Sequence, residues 1–301
     1  MIQLDINTIR QYGNIELLAK QLVEGFITGL HKSPYHGFSV EFAEHKIYNP
    51  GESTKYIDWK VFAKTDRLYT KKYEEETNLR CSILLDVSAS MYYPEKSNGK
   101  IAFSIIAAAA LAYMLQKQRD AVGLAAFSGE IEQQTPIKST PGHLHKLFVL
   151  LEQLANRTVH QQKTAAAEVI HLLANSINKR SLVVIFSDMF ETENEEDIFP
   201  ALQHLKHNKH EVLIFHVTDK KTELNFEFEE RPYEFIDVES GQREKVQPSQ
   251  IKEQYHQQIA AFYSRLKEKC GQYKIDFIEA DINLGIEQIL LPYLIKRKKM
   301  V

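Results

Sequence analysis

The chain has 301 residues, 44% of them hydrophobic and 26% charged, with a formal net charge of -3 and a pI near 6.5. That composition implies a globular chain able to bury one large core and carry a small second domain. The near-balanced charge gives no general pull toward nucleic acid or an anionic membrane, so neither is an expected partner.

In chain order, the first residues lack a basic start followed by an unbroken apolar stretch, which argues against a secretory signal. Ile15, Leu18, Ala19, Leu22, Val23, Phe26, Ile27 and Leu30 recur at helical spacing and predict an amphipathic helix over 14–30, with Asn14 as its N-cap. After a break at KSPYHG, residues 37–73 are rich in aromatic and β-branched side chains with turn signals at NPG and TD. They read as a small β-rich domain, which with the helix makes a first domain over 1–78.

From Arg80 onward the runs SILLD, AVGLAAFS, SLVVIFSD, EVLIFHVTD and YKIDFIEAD alternate with helical stretches. Short buried runs between helices predict an α/β domain over 79–301, with a Rossmann-like, doubly wound, mainly parallel sheet. The run IAFSIIAAAALAYML, 101–115, lies between Lys100 and Lys117 and falls short of the roughly 20 residues that a bilayer span requires. It reads as a buried helix, and no integral membrane span is expected. Residues 224–246 break the alternation with period-two stretches and an SGQ turn, which predicts a β-hairpin insertion ahead of a long helix over 248–270. The closing KRKK, 296–299, reads as a solvated tail. Cys81 and Cys270 make neither a disulfide framework nor a zinc motif, which suits a reducing cytoplasm.

The chemistry gathers where such sheets bind ligands, at the carboxyl ends of the strands. SILL ends in Asp86, Ser88 and Ser90; SLVVIF runs into Ser187 and Asp188; the loop QQKT places Thr164 at the mouth of a helix. If SILL and SLVVIF are neighbours, Asp86 and Asp188 face each other across one cleft. The two carboxylates of Asp86 and Asp188 and the three hydroxyls of Ser88, Ser90 and Thr164 form an all-oxygen set, which suits Mg²⁺, with Mn²⁺ or Ca²⁺ as alternatives, rather than zinc. An ion held partly by neutral hydroxyls stays electron-poor and would accept one more anionic oxygen, such as a partner's Asp or Glu. The bland alternative is a strand-to-helix turn capped by Asp and Ser.

DVSASM at 86–91, Thr164, and SDMF at 187–190 resemble the metal-ion-dependent adhesion site of von Willebrand factor type A domains, with all five ligand positions, Asp86, Ser88, Ser90, Thr164 and Asp188, filled. Upstream, Gly37, Ser39, Glu41 and Phe42, then Tyr48, Gly51 and Glu52, then Tyr56, Ile57, Asp58 and Trp59 resemble the N-terminal signature of the bacterial family called domain of unknown function 58. His45, Lys46, Glu52 and Lys55 stand where that family carries arginines and an aspartate, and Gln162 and Lys163 replace its glycine pair before the threonine. The resemblance implies a von Willebrand type A fold and a cytoplasmic, non-enzymatic, chaperone-like adaptor. Its metal site would dock an acidic residue of a MoxR-type AAA+ ATPase or of a client protein during assembly, maturation or metal insertion. Glu52, Lys55, Asp58 and Trp59 are its candidate partner contacts, although Trp59 and Asp58 also read as packing and a turn anchor.

The alternative from another class is a metal-dependent, phosphatase-like hydrolase using the same oxygens. A haloacid-dehalogenase-type phosphatase wants an aspartate two residues after Asp86, and Ser88 stands there. The tetrad at 97–100, ending in Lys100, matches S-x-x-K formally but lacks the companion S-D-N and K-T-G motifs. His204, His207 and His210 read as water-facing residues, and neither His143 nor His145 as a base.

Overall fold

Runs such as CSILL and LVVIF form strands because β-branched and other apolar side chains on both faces leave no polar face for water, a pattern that suits a sheet covered on each side. The structure, a computed structural model, describes residues 7, 9, 13–31, 45–47, 62–64, 66, 68–71, 79–94, 97, 99–157, 166–189, 197–237 and 241–300. Its elements begin with α1 (Ile15–His31), β1 (His45–Ile47), β2 (Tyr69–Lys71), β3 (Arg80–Asp86) and a 3₁₀ turn (Ala89–Tyr92). There follow α2 (Gly99–Lys117), β4 (Ala121–Phe127), β5 (Ile131–Gln134), α3 (Pro141–Ala155), α4 (Ala166–Ser176), β6 (Leu182–Ser187), α5 (Ile198–His207) and β7 (Glu211–Thr218). A π turn (Lys220–Leu224) leads to β8 (Tyr233–Ile236), β9 (Arg243–Val246), α6 (Pro248–Gln272), β10 (Asp276–Asp281) and α7 (Glu287–Met300).

Two compact units result, one of residues 1–24 and 79–301, the other of residues 25–78. The first half of α1 therefore clusters with the larger unit and not with the β-rich segment. Asn14 caps this helix as its sequence predicts, its Oδ1 accepting from Leu17 N at 3.0 Å, while Ile15 N donates to Glu152 Oε1 of α3 at 3.0 Å. In the smaller unit, β1 and β2 pair antiparallel.

The main sheet has the order β10-β7-β6-β3-β4-β5, giving a mixed α/β architecture with a mostly parallel sheet. All five runs expected as strands lie in it and run parallel. From β3 the chain moves outward to β4, then returns to β6 on the other side of β3 and proceeds outward to β7 and β10. The winding reverses between β3 and β6, and at such a reversal the flanking connections diverge and leave a crevice at the carboxyl ends. Strand β5, which pairs antiparallel with β4 at the edge, has no counterpart in the expected set, because IEQQ carries neither alternation nor an apolar run.

On one face, Leu84, Phe127, Val183, Ile185, Val212 and Ile214 pack with α4, α5 and α6. The alternate residues Ile83, Leu85, Val184, Phe186, Leu213 and Phe215 are also buried, with Phe186 and Phe215 stacked at 5.1 Å between centroids. Helix α2 contacts β3, β4 and β7. It runs 19 residues, longer than the expected span, and is long and apolar enough by composition to cross a membrane, yet it is buried in the protein over most of its length. The pair β8–β9 forms an antiparallel hairpin within residues 224–246.

The segment read as a solvated tail is instead part of α7. Lys296 Nζ lies 2.6 Å from Glu211 Oε2 and 2.8 Å from Asp276 Oδ2, and Arg297 pairs with the buried Asp120. The basic run is thus drawn against acids at the amino ends of β7 and β10, contacts that a local charge pattern does not reveal. His210 is also buried rather than water-facing, accepting from Ser181 N at 3.3 Å.

Leu84 is fully buried in the centre of the sheet. Leu84→Ala should lower unfolding free energy by about 2–5 kcal/mol, through lost transfer energy and the cavity left behind, as read by urea denaturation.

Candidate metal centre at the strand ends

Strands β3 and β6 are hydrogen-bonded neighbours, with Leu85 opposite Phe186, so Asp86 and Ser187 leave the sheet side by side. Beyond β3 the backbone stays extended at Ser88 and then tightens into the 3₁₀ turn, where Met91 N bonds Ser88 O at 3.1 Å. Met91 and Tyr92 are buried and anchor that turn, leaving Ser90 half-buried above it. Beyond β6, Met189 adopts a left-handed backbone with φ 54°, an uncommon conformation for a residue bearing a Cβ. Ser187 holds this bend by accepting from Met189 N at 2.9 Å.

Asp86 is buried and both of its oxygens have donors: Ser88 N reaches Oδ1 at 2.9 Å and Ser187 Oγ reaches Oδ2 at 2.6 Å. The hydroxyls of Ser88 and Ser90 lie 3.1 Å apart. Asp188 is fully buried, its Oδ2 bonded to Lys100 Nζ at 2.8 Å and its backbone oxygen accepting from His216 Nε2 at 2.8 Å. Lys100, from the first turn of α2, also reaches Glu223 Oε1 at 2.5 Å. Glu223 sits in the π turn after β7, where its Oε2 accepts from Asp219 N at 2.7 Å.

The structure thus brings Asp86, Ser88, Ser90 and Asp188 together. Thr164, Glu52, Lys55, Asp58 and Trp59 lie outside the described residues. Four further residues, Ser187, Lys100, Glu223 and His216, belong to the cluster although they were not expected as site members. Ser187 adjoins Asp188 in the sequence and was within reach of the reading. Lys100 entered the sequence reading through a formal S-x-x-K match, and its signal as a site member was its position at the start of a buried helix, a place where a lysine has to be paired.

Electrostatics follow from burial. Burial, and after it the charge of Asp188, pushes Asp86 up to about 7, against the lowering pull of the Ser187 and Ser88 hydrogen bonds. Burial raises Glu223 as well, with Asp188 adding to it and Lys100 opposing. For Lys100 burial works against the charge, but Asp188 and Glu223 outweigh it and hold the ammonium above the ordinary lysine range. Burial lowers His216 to about 4, so its ring is neutral and its Nε2–H donates to the Asp188 carbonyl. The ring is further confined between Tyr263 and Phe277.

These residues fit a hard divalent cation. Among the described residues, Asp188 and Glu223 share the Lys100 ammonium, and Asp86 lies close enough to Asp188 to feel its charge, so three buried or largely buried carboxylates are set against one cation. At metal–oxygen distances of about 2.0–2.1 Å, adjacent ligands of an octahedron stand about 3 Å apart, close to the spacing of the two serine hydroxyls. Among the described residues no three His, Cys, Asp or Glu side chains form a metal cluster, so such an ion would depend on hydroxyl ligands.

Fold and site together define a Rossmann-like α/β protein with a cluster of buried oxygens where its sheet reverses. The chain belongs to the protein family of unknown function DUF58, whose family model matches residues 44–264. It is 25% identical over 214 residues to uncharacterized proteins of Mycobacterium bovis and Mycobacterium tuberculosis, a match covering 69% of this chain and 64% of theirs. Among solved structures it is similar to the conserved hypothetical protein BatB of Bacteroides thetaiotaomicron, at 19% identity and a TM-score of 0.44 over 74% of this chain and all of that one. An aerotolerance-related membrane protein of Bacteroides fragilis, bearing multiple mutations to serines, matches at 20% identity and 0.44 over 73% of this chain and 99% of its own.

The raised Asp86 fixes the sign of a pH dependence. Between the ordinary value of 3.8 and about 7 the folded state holds a proton that the unfolded state releases, so this contribution to stability is full below about 4 and lost as pH rises through 7. In EDTA, the parent's unfolding free energy in urea should fall by about 2–4 kcal/mol relative to that of Asp86→Asn across that window, a difference reduced by Mg²⁺, which binds the carboxylate form.

Proposed function

We propose that this chain is a non-enzymatic, metal-dependent protein-binding adaptor of the von Willebrand factor type A class. Its metal-ion-dependent adhesion site would consist of Asp86, Ser88, Ser90 and Asp188, with Thr164 as fifth ligand. The observation that carries this reading is the meeting of Asp86, the Ser88–Ser90 hydroxyl pair and Asp188 at the reversal of the sheet. Mg²⁺ suits the set best, with Mn²⁺ or Ca²⁺ as alternatives. When bound, the ion supplies a Lewis-acidic position for an oxygen anion from outside. The chain's own residues would hold the ligands in place: Ser187 and Ser88 N orient Asp86, and His216 fixes the Asp188 backbone.

The partner in this reading is a MoxR-type AAA+ ATPase or its client, engaged through an aspartate or glutamate in the cytoplasm. Binding rather than hydrolysis is favoured because the polar groups beside Asp86 are committed. Both Asp86 oxygens accept hydrogen bonds, and His216, the imidazole nearest Asp188, spends its proton on a carbonyl inside an aromatic pocket.

Biolayer interferometry between the purified full chain and the cognate MoxR-type ATPase tests the reading. Asp86→Ala, Ser88→Ala and EDTA should each weaken binding at least about tenfold while circular dichroism stays unchanged, the loss expected when a charge-assisted anchor is removed. Equal binding by parent and variants in Mg²⁺, with no effect of EDTA, would sink it, and Mg²⁺-dependent turnover of a phosphate ester lost in Asp86→Ala would favour a hydrolase.

A further inference from the structure

Lys100 is buried to 1% exposure and is not a ligand in any arrangement of the oxygen set. Its Nζ sits 2.8 Å from Asp188 Oδ2, 2.5 Å from Glu223 Oε1 and 5.8 Å from the centroid of the Tyr93 ring. Glu223 is itself fixed: Asp219 N donates to its side chain at 2.7 Å, and Tyr255 OH donates to its backbone oxygen at 2.7 Å. Thr222 Oγ1 and Lys221 N bond Asp219 in turn. The ammonium is therefore held in place from the far side by a turn that has its own hydrogen-bonded support.

Burying an ammonium is costly, and only close carboxylates offset that cost. A site built for the tightest possible metal binding would not rest a fixed positive charge on one of its two aspartates. We propose that Lys100 is a resident counter-cation, which competes with a divalent ion for Asp188 and keeps the ion's affinity low enough for exchange. This rests on the reading of the cluster as a metal site. Glu223 is the second half of the device, because it draws the ammonium away from Asp188 and shares its charge. Lys100 lies directly on Asp188, whereas Glu223 reaches that aspartate only through the ammonium. Removing both thus preserves the cluster's net charge while taking away the ammonium that lies on Asp188.

Isothermal titration of the full chain with Mg²⁺ tests this, comparing the parent with Glu223→Gln and with the double variant Lys100→Met/Glu223→Gln. The double variant removes one charge of each sign, and melting curves and circular dichroism check that both variants fold. It should bind Mg²⁺ at least about tenfold tighter than the parent, and Glu223→Gln at least about threefold weaker, because the ammonium then falls to Asp188 alone. A merely structural pair would weaken or leave unchanged the affinity of the double variant, and that result overturns the proposal. Should the double variant not fold, Glu223→Gln decides alone, and affinity equal to or above the parent's overturns it. Mg²⁺ binding by neither parent nor double variant brings down the metal reading and the counter-cation together. Binding by the parent without a gain in the double variant leaves the metal reading standing and removes only the counter-cation.

Discussion

Two aspartates at the ends of hydrogen-bonded strands, both out of water, are the constraint around which this molecule is arranged. Neighbouring buried carboxylates repel each other and lack solvent to spread their charge. Ser187 and Ser88 N supply donors to Asp86, and the start of α2 inserts Lys100 against Asp188. Helix α2 must therefore begin close to these aspartates, and its unusually apolar sequence lets the rest of it lie within the core. The reversal of the sheet between β3 and β6 is what sets these groups at adjoining strand ends.

The parallel strands were legible because each is a short apolar run bounded by polar residues, and the meeting of four oxygen-bearing residues of the candidate site was legible because they sit at the ends of those runs. Asp86, Ser88, Ser90 and Asp188 needed only the adjacency of two strands, which the reversal of the sheet provides. Lys100 was not legible: its partners Asp188 and Glu223 are 88 and 123 positions away, and local patterns do not encode such pairings. The same limit hid the roles of Lys296 and Arg297, whose acids lie far upstream. Strand β5 escaped because its side chains are half-exposed and polar, so pairing with β4 rather than any hydrophobic period makes it a strand.

The hairpin of β8 and β9 is joined to this charge arrangement by short-range contacts. Phe226, Phe228, Phe235 and Tyr255 form an aromatic group at its base, with Phe226 and Tyr255 4.6 Å apart. Tyr255 is also the residue that holds the backbone of Glu223. An insertion that resembles surface decoration in sequence thus shares a tyrosine with the turn that restrains the buried ammonium. The physical connection is one of contiguous packing and hydrogen bonds, running from the aromatic group through Glu223 and Lys100 to Asp188.

The two borders of the main sheet carry a different consequence. Strand β10 reads DFIEAD, with Asp276 engaged by Lys296 and Glu279 by Lys267, while β5 carries Glu132 paired with Arg157. Charged, ion-paired margins discourage a foreign segment from extending the sheet by strand addition, which needs an open row of backbone groups and tolerant side chains. Strand addition along either flank of the sheet is thereby disfavoured, so a partner of the kind proposed above would have to meet the sheet end-on.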